Sequence, residues 1–312
     1  MSSERMSVGL IGAGAMGTLF GYHLAQSCDV TILDSNATVL SAIERNGLRI
    51  NNEPARFVRV AQQPSDLFSA RALFLFVKAV DTLRALRPFA SELDPSSPVI
   101  SLQNGLGNED AIKTALGGSV PVILGITTES ALSVEPGHSL RSSDGNTLLG
   151  SAGAAAATSK MIAELLTHSN MRAAVVYDIR PHLWGKLIAN ASVNALSALL
   201  DCSAGEILRD ANAAHLAESL AEEAASVAAA ADIKLPFANP WLYVSEVISI
   251  GADAKSSMAF DLQSRHPSEI DHINGAVCAA GRRFGVPTPY NDAMVRLIKA
   301  RSLLLENRRD ET

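Results

Sequence analysis

The chain has 312 residues, enough for about two domains of ordinary size. It carries 26 Lys and Arg against 32 Asp and Glu, and a formal net charge of −6 argues against a nucleic-acid-binding protein. Hydrophobic residues make up 47% and charged residues 19%, which excludes a disordered chain.

Targeting and redox signals point to a soluble protein of the cytoplasm. The sequence lacks the run of about 18 apolar residues that a membrane span needs, so no membrane partner is expected. No charged segment followed by an apolar one opens the chain, so we predict no signal peptide. The three cysteines, Cys28, Cys202 and Cys278, have no spacing typical of disulfides or metal sites, and neither do the seven histidines. We therefore predict a reduced protein without a metal.

The first part of the chain alternates strand and helix signals. Short apolar runs predict strands at 8–11, 30–33, 73–77, 99–102 and 120–124. Helical patterns cover about 16–26, 37–46 and 109–116. This order predicts an α/β domain with a Rossmann-type, doubly wound parallel sheet.

The second part of the chain has a different pattern. Residues 130–149 are polar and predict loop and hairpin, 150–159 form a small-residue linker, and 173–177 predict the last strand of the sheet. Helical periodicity follows Pro181 almost to the end, including an amphipathic, Ala-rich helix at 211–231. We predict one domain over 1–177 and an all-α domain over 178–312.

A glycine-rich turn joins the first strand to the first helix. It consists of Gly12, Ala13, Gly14, Ala15, Met16 and Gly17. In this context the first glycine permits a tight turn, the second lets a pyrophosphate approach the backbone, and the third lets helix and strand pack closely. The N–H groups at the helix start favour phosphate charge. We predict that the first domain binds a dinucleotide; the alternative is a turn that only reverses the chain.

Asp34 ends the second strand, about 20 residues after the turn, where a carboxylate can accept hydrogen bonds from adenosine ribose hydroxyls. It would repel a 2′-phosphate, and its neighbours Ser35 and Asn36 carry no positive charge. On this chemistry NAD is favoured over NADP. The alternative is an ordinary solvent-exposed Asp at the end of a strand.

Polar residues form a stripe on an otherwise apolar helix after Pro181. Lys186, Asn190 and Asn194 are spaced at i, i+4 and i+8, with Ser197 close to the same line. Buried lysines need partners and buried amides need hydrogen bonds, so the stripe predicts a pocket lined with donors. The alternative is a stripe that faces solvent.

A second polar cluster lies near the end of the chain, at Ser256-Ser257-Met258 and at 266–271. Pro267 suits the first turn of a helix, and a helical apolar face follows at Ile270, Ile273, Val277 and Phe284. We therefore expect Glu269 in that first turn, where the helix dipole favours a carboxylate. On its own, this position is explained by an ordinary charge at a helix N-terminus, and that remains the alternative to a catalytic role.

Taken together, these residues resemble the ketopantoate reductase family over essentially the whole chain. Beyond the glycine-rich turn, the motifs that carry the resemblance are Val77-Lys78-Ala79, the Gln103–Glu109 run, the Trp184–Asn194 run, Ser256-Ser257-Met258 with Asp261, Ser268-Glu269-Ile270-Asp271, Asn274-Gly275, and Gly285-Val286-Pro287-Thr288-Pro289. The family reduces a branched 2-oxo acid to a 2-hydroxy acid with a nicotinamide hydride, on the path to pantothenate.

The resemblance implies a role for individual residues. Lys186 would be the general acid, and Glu269 would support the lysine and the substrate. Asn190, Asn194 and Ser257 would hold substrate, Asn104 would lie near both substrate and nicotinamide, and Lys78 would lie close to the cofactor. Hydride attack builds negative charge on the ketone oxygen, which a protonated lysine can stabilise and then neutralise.

Two departures from the family bear on specificity. The family often has a basic residue after the second strand, where this chain has Asp34-Ser35, so the cofactor is NADH or NADPH. Ala254-Lys255 replaces a segment that often carries an Asn, so a substrate contact differs. The alternatives are a related 2- or 3-hydroxy acid dehydrogenase and an NAD(H)-binding regulator without turnover. A homodimer is compatible with the helical domain, but no feature demands one.

Overall fold

A computed structural model describes residues 5–118, 120–150 and 156–307. The chain divides into two compact units. The first comprises the described residues of 1–103 and 108–179, and the second those of 104–107 and 180–312.

The first unit contains all of the described strands. They are β1 (Met6–Ile11), β2 (Cys28–Leu33), β3 (Arg49–Ile50), β4 (Arg59–Val60), β5 (Ala72–Leu75), β6 (Val99–Ser101), β7 (Val122–Thr127), β8 (Ser130–Glu135), β9 (His138–Ser143), β10 (Asn146–Gly150) and β11 (Arg172–Val176). Eight of them form one sheet in the order β11-β10-β7-β6-β5-β1-β2-β4. The sheet places β1 and β5 side by side at its centre, where the chain order reverses. Ligands of such sheets bind at the carboxyl ends of strands beside this switch point.

The predicted Rossmann-type sheet is confirmed, but it is not wholly parallel. β10 pairs with β7 in antiparallel register, Leu148 opposite Ile126, while the other neighbours are parallel. The polar stretch predicted as loop and hairpin supplies the hairpin β8–β9, which forms a small sheet with β3, and then strand β10. The periodicity of 146–150 is weak because polar and apolar residues share both faces of this strand. Of the linker predicted at 150–159, residues 151–155 lie outside the described residues, whereas Gly150 ends β10 and residues 156–159 belong to α5.

The helices of the first unit are α1 (Ala15–Leu24), α2 (Ala37–Asn46), α3 (Thr82–Leu86), α4 (Asn108–Leu116) and α5 (Ala156–His168). Short 3₁₀ helices cover Pro64–Leu67, Ala79–Asp81 and Arg87–Phe89. Buried strand residues such as Leu10, Ile32 and Phe74 pack against these helices in one apolar core, and a second core includes Leu73 and Leu75. Because β5 is buried along its whole length, it has the continuous apolar pattern of a central parallel strand.

The second unit is helical, as predicted. Its helices are α6 (Arg180–Leu200), α7 (Ala204–Arg209), α8 (Ala211–Ala230), α9 (Pro240–Ile250), α10 (Ser257–Gln263), α11 (Asn274–Phe284) and α12 (Pro289–Asn307). Helix α6 is central, and its buried residues share one core with α8. Across the described ranges, no helix is long and apolar enough to cross a membrane.

The prediction of a helix opening at Pro267 is wrong. The segment from Glu269 to Ile273 forms a turn, in which the N–H groups of His272 and Ile273 donate to the Glu269 carbonyl, each at 3.0 Å. Helix α11 begins only at Asn274. Ile270 and Ile273 are both buried, so their spacing reflects contact with the core rather than helical backbone.

Candidate active site

The glycine-rich turn has the geometry that its sequence predicts. Gly12 has φ +104°, and a side-chain carbon there would lie 2.7 Å from the Phe76 carbonyl carbon and 2.8 Å from the Val77 nitrogen. A side chain at Gly17 would collide with the Gly12 carbonyl. The tight contact therefore brings the carboxyl ends of β1 and β5 together at the switch point of the sheet.

The middle glycine leaves room for a ligand. At Gly14, no described atom beyond the glycine's own neighbours lies within 4 Å of the position that a side-chain carbon would take, and the residue is exposed. Gly14 is the N-cap of α1 and offers no side chain to satisfy the first N–H groups of the helix. An open cradle at an uncapped helix N-terminus fits a pyrophosphate group. Gly12, Ala13, Gly14, Ala15, Met16 and Gly17 together form this cradle.

Asp34 is tied to the turn rather than pointing freely into solvent. Its carboxylate accepts hydrogen bonds from the Ala13 N–H at 2.7 Å and from the Asn36 N–H at 2.8 Å. It also borders a pocket of about 270 Å³. The pocket is lined by Asp34, Ser35, Ala37, Leu40, Ser41, Glu44, Val60 and Gln62. None of the described residues in this lining is basic.

Gln103, which the sequence analysis named only as part of a motif and gave no role, joins the segments that follow β5 and β6. Its side-chain amide donates to the Val77 carbonyl at 2.8 Å and to the Thr82 hydroxyl at 2.9 Å, and its oxygen accepts from Ser101 at 2.9 Å. Val77 immediately precedes Lys78, which is partly buried and is the N-cap of the 3₁₀ helix Ala79–Asp81. The sequence signal that could have identified Gln103 is its position as a polar residue directly after the strand predicted at 99–102.

The polar stripe of α6 is buried or partly buried within the second unit. Ser197 is fully buried, Asn194 is 8% exposed, and Lys186 and Asn190 are partly buried. Ser256 fixes this face from outside, because its hydroxyl donates to the Asn194 carbonyl at 2.9 Å and its N–H donates to Ser197 at 3.0 Å. This burial contradicts the alternative interpretation, in which the stripe faces solvent.

Ser256, rather than Ser257, makes the contacts to α6. Its hydroxyl also accepts from the Ala259 N–H at 3.1 Å and so caps α10. Ser257, the predicted substrate contact, is the first residue of that helix, and its side chain is exposed.

Lys186 has an unusual charge environment. Burial lowers the pKa of its ammonium group from 10.5 to about 8, while the Glu269 carboxylate acts in the opposite direction and raises that pKa. Glu269 also accepts a hydrogen bond from the Asn104 side-chain amide at 3.2 Å. Asn104 belongs to the second unit, so the structure brings three of the predicted residues together there.

This arrangement is suited to proton transfer near neutral pH. A lysine with a pKa of about 8 is mostly protonated at pH 7, yet it gives up its proton more readily than an ordinary lysine. Amides at Asn190 and Asn194 on the same helical face can hold polar groups of a small molecule. In the described part of the chain, no group of His, Cys, Asp and Glu side chains is placed to hold a metal ion.

Comparisons with known protein families agree over both units. A family model for ketopantoate reductase PanE/ApbA matches residues 8–154, and the model for the C-terminal part of that family matches 178–302. A 2-dehydropantoate 2-reductase of Archaeoglobus fulgidus is 31% identical over 295 residues, which cover 94% of this chain and 96% of that protein. One from Streptococcus pyogenes is 29% identical and covers 96% of this chain and 99% of that protein.

Solved structures show the same two-part fold. A PanE/ApbA family ketopantoate reductase from Ralstonia eutropha has a TM-score of 0.88 and 28% identity, covering 96% of this chain and all of that one. A D-mandelate dehydrogenase solved with NADH and anilino(oxo)acetate gives the same TM-score, identity and coverage. The chain therefore belongs to the ketopantoate reductase family, and it is an oxidoreductase of the 2-dehydropantoate 2-reductase type that works with a nicotinamide cofactor.

Proposed function

We propose that the protein reduces a branched 2-oxo acid to its 2-hydroxy acid, with 2-dehydropantoate as the substrate and pantoate as the product. The observation that carries this proposal is the environment of Lys186, a partly buried lysine whose pKa falls to about 8 in the same unit as Glu269. Relatives named 2-dehydropantoate 2-reductase support the choice of substrate.

The first unit holds the cofactor in this proposal. The cradle of residues 12–17 receives the pyrophosphate, and Asp34 and Lys78 lie at the ends of the strands on either side of β1. When bound, the nicotinamide cofactor supplies the hydride. The protein supplies position and charge.

Lys186 is the general acid of the reaction. Negative charge grows on the ketone oxygen of the substrate as it is reduced, and the ammonium group stabilises that charge before it donates its proton. Glu269 opposes the effect of burial and keeps the lysine protonated at neutral pH. Asn104, Asn190, Asn194 and Ser257 provide hydrogen bonds that hold the substrate carboxylate and hydroxyl groups.

A second candidate substrate is an aryl 2-oxo acid. The D-mandelate dehydrogenase is as similar in fold and sequence as the Ralstonia reductase. This alternative keeps the same reaction and the same acid, and it changes only the side chain of the substrate. A regulator without turnover does not account for a lysine whose pKa lies near the working pH.

We further propose that NADH is preferred over NADPH. The Asp34 carboxylate and the Glu44 carboxylate both line the pocket beside the glycine-rich turn. A 2′-phosphate placed there meets negative charge, whereas ribose hydroxyls meet an acceptor.

The test is the initial rate of NADH and NADPH oxidation with 2-dehydropantoate, other branched 2-oxo acids and phenylglyoxylate. The proposal expects the highest kcat/KM with 2-dehydropantoate and NADH. A higher kcat/KM with phenylglyoxylate selects the second candidate. Absence of turnover with every 2-oxo acid, while NADH still binds, contradicts both.

A further inference from the structure

Four residues between β6 and α4 belong to the second unit, although the chain on either side of them belongs to the first. This segment is Asn104–Gly107. It lies against the turn that carries Glu269, so its placement bears on the acid–base pair of the proposed reaction.

Two hydrogen bonds join the segment to that turn. The Asn104 amide donates to Glu269 Oε2 at 3.2 Å, and the Leu106 N–H donates to the His272 carbonyl at 3.3 Å. The turn itself is closed by the N–H groups of His272 and Ile273, which donate to the Glu269 carbonyl. The backbone and side chain of Glu269 are therefore held from two directions.

Gly105 lies between these two hydrogen bonds and leaves no room for a side chain. Its φ of +86° is in the region that favours glycine. A side-chain carbon there would clash with the His272 carbonyl oxygen and lie 2.8 Å from the His272 carbonyl carbon. Both atoms are backbone, so the clash would be relieved only by moving the segment or the turn.

Gly107 provides a natural comparison within the same segment. Its φ of +85° is nearly the same, but none of the described atoms beyond its neighbours lies within 4 Å of a side-chain carbon built there. Alanine at either position carries the same kind of backbone strain. Only alanine at Gly105 adds a collision with the turn.

We propose that Gly105 is a positioning residue for the reaction, because its lack of a side chain lets Asn104 reach Glu269. The inference rests on the proposed function, since it assigns Asn104 and Glu269 to the same reacting site. Gly105 has no side chain to contribute to the reaction, so the role assigned to it is positioning and not catalysis.

The test compares kcat in Gly105→Ala and Gly107→Ala, each corrected for its folded fraction. Misplacement of a reacting group by about 1 Å can cost about 100-fold in rate, so we expect a loss of that order for Gly105→Ala. Gly107→Ala should lose less than about threefold, because it adds strain without a collision. Equal losses in the two variants overturn the proposal.

A double variant separates positioning from general damage. If Gly105 acts through Asn104, Gly105→Ala has no further effect on kcat/KM in an Asn104→Ala background. If the losses of kcat/KM caused by the two substitutions multiply in the double variant, Gly105 has a general structural role and the proposal is overturned. Should Gly105→Ala not fold, a double-mutant cycle with Asn104→Ala and Glu269→Gln tests the same contact. Coupling of about fivefold or more in kcat/KM between the two substitutions supports the proposal, and independent effects contradict it.

A structural readout keeps this proposal distinct from the proposed function. Hydrogen exchange of the Leu106 amide, which donates to His272, should accelerate about tenfold or more in Gly105→Ala but not in Gly107→Ala. If the wild type reduces no 2-oxo acid, the proposed function fails, and the exchange result still tests the placement of the segment. Unchanged exchange in Gly105→Ala contradicts that placement.

Discussion

Lys186 shows how its surroundings set the chemistry of a single residue. Burial favours the neutral amine, and Glu269 favours the ammonium ion; the balance leaves a pKa of about 8. Sequence spacing alone predicted that the lysine and the two asparagines share one helical face, and the resemblance to the family supplied their proposed roles. The size of the pKa shift depends on contacts between segments about 80 residues apart, which no local pattern encodes.

The pH dependence of the reaction follows from this balance. The proposed role of Lys186 requires its protonated form, so kcat/KM for the 2-oxo acid should fall as the pH rises above about 8. Glu269 raises the pKa of Lys186, so Glu269→Gln should lower it and move this decline to lower pH by about one unit.

Asp271→Asn is a matched control for the pH profile. It removes an equal charge from the same turn, but the Asp271 carboxylate pairs with Lys299 at 2.6 Å. Its profile should match the wild type. A Glu269→Gln profile that stays in place, or moves to higher pH, would contradict the assigned role of Glu269.

Asp34 makes a separate prediction about the cofactor. In Asp34→Asn the side-chain oxygen can still accept from the Ala13 N–H, while the negative charge is lost. The ratio of kcat/KM for NADH to that for NADPH should fall about tenfold, equivalent to about 1.4 kcal/mol. Glu44→Gln removes an exposed charge from the same pocket and should change the ratio less than about threefold, because solvent screens it. A wild type that prefers NADPH would refute this account of Asp34.

At the scale of elements, a buried amide network locks α6 to its neighbours. The Asn274 amide on α11 donates to the Ala191 carbonyl of α6 at 2.9 Å and to Asn291 of α12 at 3.0 Å. Asn291 in turn donates to Glu223 of α8 at 2.9 Å. Both asparagines are fully buried. The network holds α6 at Ala191, between Asn190 and Asn194, and so positions the polar face of that helix.

Breaking this network should destabilise the second unit. Asn274→Ala removes the amide that donates to the Ala191 carbonyl and to the buried side-chain oxygen of Asn291, which should lower the free energy of unfolding by about 2–4 kcal/mol in urea titrations. Asn291→Ala should be coupled to it by at least about 1 kcal/mol in a double-mutant cycle. Asn239 caps only its own helix α9, so Asn239→Ala should cost about 1 kcal/mol. A cost for Asn274→Ala no larger than that of Asn239→Ala would show that the network is not important.

Elements with strong local signals were predicted well from the sequence. Helix α2 has the predicted bounds, since Asn36 caps its start and Gly47 follows its end. Strand β10 and the turn at Glu269–Ile273 were predicted incorrectly. In both segments the positions of apolar residues report burial against distant parts of the chain, and burial alone does not distinguish strand, turn and helix.

At the scale of the whole molecule, the α/β fold, the helical second part and the family were all predictable from the sequence. The assignment of Asn104–Gly107 to the second unit was not predictable from the sequence. That placement depends on a glycine without room for a side chain and on the His272 carbonyl, which lies more than 160 residues away in sequence. The sequence shows that Gly105 is part of a motif, but no sequence pattern predicts that the His272 carbonyl lies against it.

The most direct test of the central claim compares NADH oxidation by the wild type and by Lys186→Ala, with saturating 2-dehydropantoate at pH 7. Loss of the proposed general acid should lower kcat by about 10²–10⁴-fold. The melting temperature should not fall, because the substitution removes a charge whose burial is unfavourable. A Lys186→Ala enzyme that remains folded and turns over at the wild-type rate would contradict the account.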